Sequence, residues 1–231
     1  MDKGLRWNFD ELVEMAVTGK VSQPALRRGG YVHRPDGVGE VLPGMYGITY
    51  NARVGDRAFG WAGDHVEPGV SIAHVEERAD YALHYLTCIG NEAEVQTGLA
   101  RGAKGVVTGE HARLLVDFAP EMLEGLTIGD TIQIRSLGRG LRLESHPGIE
   151  FKKTSPSLAR ALDLRSDGGR VSCPVAMELP PRIMGSGAEL NSEFVDQDLM
   201  SGDRVLMTEL GIDQMRLGDL IGIRNVDHRF G

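Results

Sequence analysis

Cysteine is scarce, with only Cys88 and Cys173 among 231 residues. The two are far apart and fit neither a zinc-ligand nor a redox spacing, so a disulfide framework is excluded and reduced thiols are expected. Long apolar runs are missing too. Nothing approaches the roughly 18 consecutive apolar residues of a membrane span, and the first residues are acidic and polar where a secretory leader is apolar. The expectation is a cytoplasmic protein with no membrane partner. Positive charge is also in short supply: 25 Lys and Arg face 33 Asp and Glu, for a formal charge of -8 and a pI of about 5.4. Without a general phosphate-neutralising field, nucleic acid is not expected as a partner unless a local basic patch supplies one. What is present is 41% hydrophobic residues, enough to bury a core without staples in one large domain or several small ones.

Taken in order, Asn8-Phe9-Asp10-Glu11 reads as a helix start, with Asn8 as cap and Glu11 closing a capping box. Phe9, Leu12, Val13, Ala16 and Val17 then recur at helical spacing until Gly19. Residues 24–44 are rich in Gly, Pro and Arg and read as a connecting segment with short strands. Strand-like alternation resumes over 47–61, with a turn at Val54-Gly55-Asp56-Arg57. A helical turn is expected over 76–81 and a strand over 83–89, which would place His84 and Cys88 on one face. Four apart on a strand, they would stand about 13 Å from each other along its axis, which favours Cys88 as a small buried hydrophobe over a Cys-His nucleophile pair.

The clearest pattern lies between residues 92 and 143, where short alternating segments are separated by Gly-rich turns. It predicts a small barrel whose core includes Val95, Val107, Val116, Phe118, Ile132 and Ile134. The layout Gly-Ala-Lys-Gly-Val-Val-Thr-Gly-Glu-His, a Val-Asp-Phe strand, then Leu-x-x-Gly-Asp-Thr-Ile resembles SH3-like barrels. Such barrels often bind RNA, but acids outnumber bases in this segment. Arg135, Arg139 and Arg142 nevertheless cluster around Gly138 and Gly140, where guanidinium forks could hold a small anion.

A different regime begins near residue 148. Ser155-Pro156 opens a short helix, 171–179 reads as a strand that Pro174 marks as an edge or a bulge, and Ser201-Gly202-Asp203 caps a second helix through Leu210, closed by Gly211. The loop at 183–187 lacks the following helix of a phosphate-binding loop, and Ser186 is not in a Gly-x-Ser-x-Gly elbow. Residues 216–224 repeat the form of 127–135 and suggest a second small barrel or sheet from about residue 217. The fold class is therefore α+β, mainly β, with a small SH3-like barrel in the middle flanked by mixed lobes. The expected divisions are 1–91, a helix and β-rich lobe; 92–147, the barrel; and 148–231, an α+β lobe.

Ionisable side chains and bending glycines coincide at 60–70, Gly-Trp-Ala-Gly-Asp-His-Val-Glu-Pro-Gly-Val. Pro68 disfavours helix for Glu67, so His65 and Glu67 are expected on one face of an extended segment, about 7 Å apart, with Asp64 in the turn beside them. Asp227 and His228 follow a strand in the same manner, and at least one of them is expected to approach this pair. An imidazole beside carboxylates suits general-base chemistry. Equally, His65, Glu67 and His228 could hold a divalent metal, and the spacing does not distinguish the two versions. The plainer reading makes Gly63-Asp64 an ordinary turn with surface His65 and Glu67.

Residues 59–71, Leu86-Thr-Cys-Ile-Gly-Asn91, 184–187 and 225–231 together resemble the prokaryotic family catalogued as domain of unknown function 4438. The resemblance implies a mainly β, multi-lobed protein and lends no activity or catalytic residues. It also implies chain beyond the Asp-His segment, so a missing C-terminal segment or partner chain is expected beside the strand at 220–224.

Three functional classes follow. The first is a small-molecule enzyme, a hydrolase or lyase acting on a polar acid or amide, with His65, Glu67, Asp64, Asp227 and His228 as its site. The second is a non-catalytic module that binds RNA or protein through the barrel. The third is a structural subunit, and a homo-oligomer is expected because the many strands show no obvious edge protection.

Overall fold

The computed structural model describes residues 4–26, 32–33, 37–40, 43–44, 47–58, 67–184, 199 and 203–226. Phe9–Glu11 is a single 3-10 turn, after which β1 (Met15–Val21) runs extended. The expected N-terminal helix is thus corrected to a strand. Val17, Thr18 and Val21 are stiff, β-branched residues suited to a strand. Gly19, read as a helix stop, instead allows close packing: a Cβ there would lie 2.9 Å from Leu83 Cδ2 and 3.0 Å from Ile72 Cδ1. Asn8 ties the turn to a distant loop, accepting from Arg142 N at 2.7 Å and donating to Gly140 O at 3.0 Å.

Four two-residue strands follow, β2 (Ala25–Leu26), β3 (Val32–His33), β4 (Gly39–Glu40) and β5 (Pro43–Gly44), paired β2 with β5 and β3 with β4. Next come β6 (Ile48–Thr49) and its antiparallel partner β7 (Gly69–Ala73). The turn expected at 54–57 forms, with Asp56 N bonding Arg53 O at 3.0 Å, and docks on residues 215–217 through Gly55 N to Leu217 O at 2.8 Å. Helix α1 (Glu77–Leu86) replaces the strand expected over 83–89. Its cap is the Glu76 carboxylate, which accepts from Arg78 N at 3.1 Å and Ala79 N at 2.7 Å.

The chain then forms β8 (Glu92–Val95), β9 (Lys104–Glu110), β10 (Leu114–Phe118), the short α2 (Pro120–Leu123) and β11 (Thr131–Ser136). Neighbours run β1-β11-β8-β9-β10-β7, all antiparallel, and β7 returns to β1 through Lys20↔Ala73 and Val21↔Ile72. Six strands therefore close into a barrel, with β6 added alongside β7. The six expected core residues are each at most 2% exposed. The barrel is not confined to 92–143, however, since β1 and β7 come from earlier in the chain. Closure without them would leave two open strand edges.

Gly69 makes the β7 contact possible. Its φ is +79, and a Cβ would sit 2.6 Å from Val116 O, a backbone atom that has little room to yield. Gly69→Ala should therefore lower stability by about 3 kcal/mol, adding left-handed strain to the clash. The measurement is the urea midpoint at constant m-value; an unchanged midpoint contradicts the tight β7–β10 approach.

Beyond the barrel, α3 (Pro156–Ala161) is capped by Ser155 Oγ, which accepts from Leu158 N at 3.1 Å. β12 (Arg165–Asp167) and β13 (Arg170–Ser172) form a hairpin. The strand expected over 171–179 is broken at Pro174 into β13 and β14 (Met177–Leu179). Asp203 caps α4 (Arg204–Glu209), and left-handed Gly211 follows it. β15 (Ile221–Ile223) pairs parallel with β14 over a second core of Leu179, Ile183 and Ile212. Among the described residues no helix is long and apolar enough to cross a membrane.

Candidate functional site

Of the five site residues expected from the sequence, Glu67 is described, whereas Asp64, His65, Asp227 and His228 lie outside the described residues. Glu67 is 2% exposed, not a surface residue. It stands just before β7, where Thr49 Oγ1 on β6 donates to its carbonyl at 2.7 Å. Both side-chain oxygens are engaged: Ser71 Oγ donates to Oε2, and His111 Nδ1 lies 2.9 Å from Oε1. An ionised carboxylate can only accept, and toward it His111 donates in its Nδ1–H tautomer. The His111 side chain keeps 23% of its exposure, whereas Ser71 is fully buried.

His111 lies in the turn between β9 and β10, immediately after Glu110, and the two adjacent side chains serve different clusters. Glu110 Oε1 accepts from His84 Nδ1 at 2.9 Å, and its Oε2 lies 2.5 Å from Lys153 Nζ. That ammonium also donates to the His84 carbonyl. Asp80, one helical turn before His84, is 4.0 Å from Nε2. The His84 imidazole is thus committed to carboxylates, while Cys88 Sγ lies 3.8 Å from Leu86 O. Burial, with Asp163 nearby, pushes the Cys173 thiol up and disfavours its nucleophilic form. Burial likewise raises the Asp117 carboxyl, with the Arg53 guanidinium opposing it. Among the described residues no group of three or more His, Cys, Asp and Glu is gathered as a metal site.

Residues 31–160 match the N-terminal part of the domain of unknown function DUF4438, and residues 161–231 match its C-terminal part. The chain belongs to the DUF4438 family. It is similar to the crystal structure of TM1086 with a TM-score of 0.90 and 39% sequence identity, over 98% of this chain and 80% of that one. No curated protein matches it. The two DUF4438 parts meet inside α3, later than the change of composition near residue 148.

Within the DUF4438 fold the three arginines of 135–142 divide. Arg135 on β11 bonds Glu14 Oε1 at 2.5 Å, which holds its guanidinium above its ordinary pKa. Arg139 and Arg142 instead line a cavity. His111 was not singled out from the sequence. The available signal was Glu110-His111 at the end of a strand, but neither partner is near in sequence, and only barrel closure brings Glu67 to it.

Proposed function

We propose that the protein is an enzyme acting on a polar small molecule, a hydrolase or lyase for an acid or amide, with His111 as its proton-transfer group. The supporting observation is a nearly fully buried Glu67 holding Nδ1 of an imidazole that stays partly exposed. The carboxylate fixes tautomer and ring orientation and stabilises the imidazolium that forms when Nε2 takes a proton. Ser71 fixes the carboxylate in turn, and its burial makes it a positioning residue rather than a nucleophile. Asp64, His65, Asp227 and His228, the other residues expected for this site, lie outside the described residues. Glu67 serves His111 rather than a metal in this reading, since both its oxygens are already occupied.

A panel of esters, lactones, amides and hydroxy acids tests the proposal. The wild type is expected to turn over at least one class, and His111→Gln should lower kcat by about 100-fold or more at an unchanged melting temperature. Glu67→Gln should lower kcat less and also reduce stability. Indistinguishable rates for wild type and His111→Gln across the panel reject the assignment.

A further inference from the structure

The segment that follows β11 folds around a cavity of about 530 Å³, within the size range of small-molecule sites. Leu143, Ile149 and Phe151 are among its apolar lining residues, and Arg139, Arg142 and Lys152 line it as well. Glu144 and Glu150 also line it, and Glu150 is paired with Lys152 at 3.5 Å. Bases outnumber acids around this cavity in a protein of net charge -8.

The frame is held in place before any ligand arrives. Gly138 has φ +144, and a Cβ there would come within 2.5 Å of Thr154 O and 2.8 Å of Cys88 Sγ, so the loop rests directly on these two residues. Asn8 clamps Gly140 O and Arg142 N. The Arg139 guanidinium lies over the Tyr85 ring, 4.0 Å from its centroid. Glu11 accepts from Arg142 at 2.6 Å, which orients the fork while using one of its five donors. Behind the cavity, Trp7 packs edge-on against Phe151 with centroids 4.8 Å apart.

We propose that this cavity binds a small organic anion, a single carboxylate or phosphate group on a hydrophobic body, with Arg139 and Arg142 gripping the anionic end. Forked guanidinium donors match either group, and the apolar wall takes the body. Glu67, Ser71 and His111 are not among its lining residues, and the proposal does not rest on that reading.

Calorimetric titration of the full chain with benzoate and with phenyl phosphate tests it, with benzyl alcohol as the uncharged control. At least one anion is expected to bind with a submillimolar Kd at low salt, weakening as salt rises, and benzyl alcohol should bind about tenfold more weakly or worse. Which anion binds more tightly identifies the headgroup. Arg142→Gln and Arg139→Gln should each weaken binding about tenfold with the melting temperature retained. Arg165→Gln, which removes an exposed cation that pairs with Asp163, should leave binding unchanged, as should His111→Gln. The proposal is overturned if neither anion binds below about 10 mM, if benzyl alcohol binds equally well, or if Arg165→Gln costs as much as both cavity variants.

Discussion

Val116→Asp is expected to abolish cooperative folding or leave it barely detectable. Val116 is wholly buried in the middle of the barrel, opposite Val70 on β7 and Val107 on β9. Both neighbours are apolar, and the surrounding cluster, which includes Ile72, Ile132 and Ile134, supplies no charge partner. The new carboxyl must be buried ionised without a partner or take up a proton, and either course costs about 4 kcal/mol or more. Total stabilities are only about 5–15 kcal/mol, so little would remain. Val106, one residue before Val107, is 40% exposed, and Val106→Thr should cost under about 1 kcal/mol. Urea unfolding followed by circular dichroism measures both. A Val116→Asp protein with a wild-type midpoint would contradict the barrel interior described here.

Lys153→Met is expected to cost about 3 kcal/mol, because it strips the cation from a buried carboxylate. Glu110, Lys153 and His84 have side chains only 16%, 14% and 11% exposed, so little solvent screens the loss. Lys153 also adopts a left-handed conformation, φ 51, unusual for a side chain of its size. Its ammonium contacts explain why it stays there. Adding Glu110→Gln to Lys153→Met should restore part of the stability, since the buried charge is then removed together with its partner. A single variant as stable as wild type, or a double variant worse than the sum of the singles, would show that the pair is not the stabilising unit.

Much of the barrel was readable from alternation alone. Val95, Val107, Val116, Phe118, Ile132 and Ile134 sit at positions whose period of two leaves one face for the core, and all are buried. The errors came where local pattern and distant pairing disagree. Leu12, Val13, Ala16 and Val17 fit a helical stripe, but β1 finds its hydrogen-bond partners on β11, from Met15↔Ser136 to Lys20↔Thr131. Over 83–89 a short apolar run suited either structure, and α1 begins on a glutamate cap rather than the usual Ser, Thr, Asp or Asn.

The candidate site divides in the same way. Glu67 was singled out because Pro68 and the surrounding glycines mark a special backbone, a local signal. Its partner His111 belongs to a turn far along the chain, and its burial depends on β6, β7 and β10 all being in place. No spacing rule connects those segments. Lys153 was invisible for the same reason: its charge is used by Glu110 and His84, residues of two other elements.

The closure of β7 onto β1 has a consequence for synthesis. The longest pairing of the first stave of the barrel is to the last stave, so a nascent chain leaves the β11 edge of β1 open until Ser136 has left the ribosome. Only the two-residue pairing with β7 can form earlier, too brief to hold a strand by itself. Contacts this distant in sequence slow folding, because the ends of a long loop must meet before any of them forms. Truncations before β11 should therefore yield open, sticky sheets.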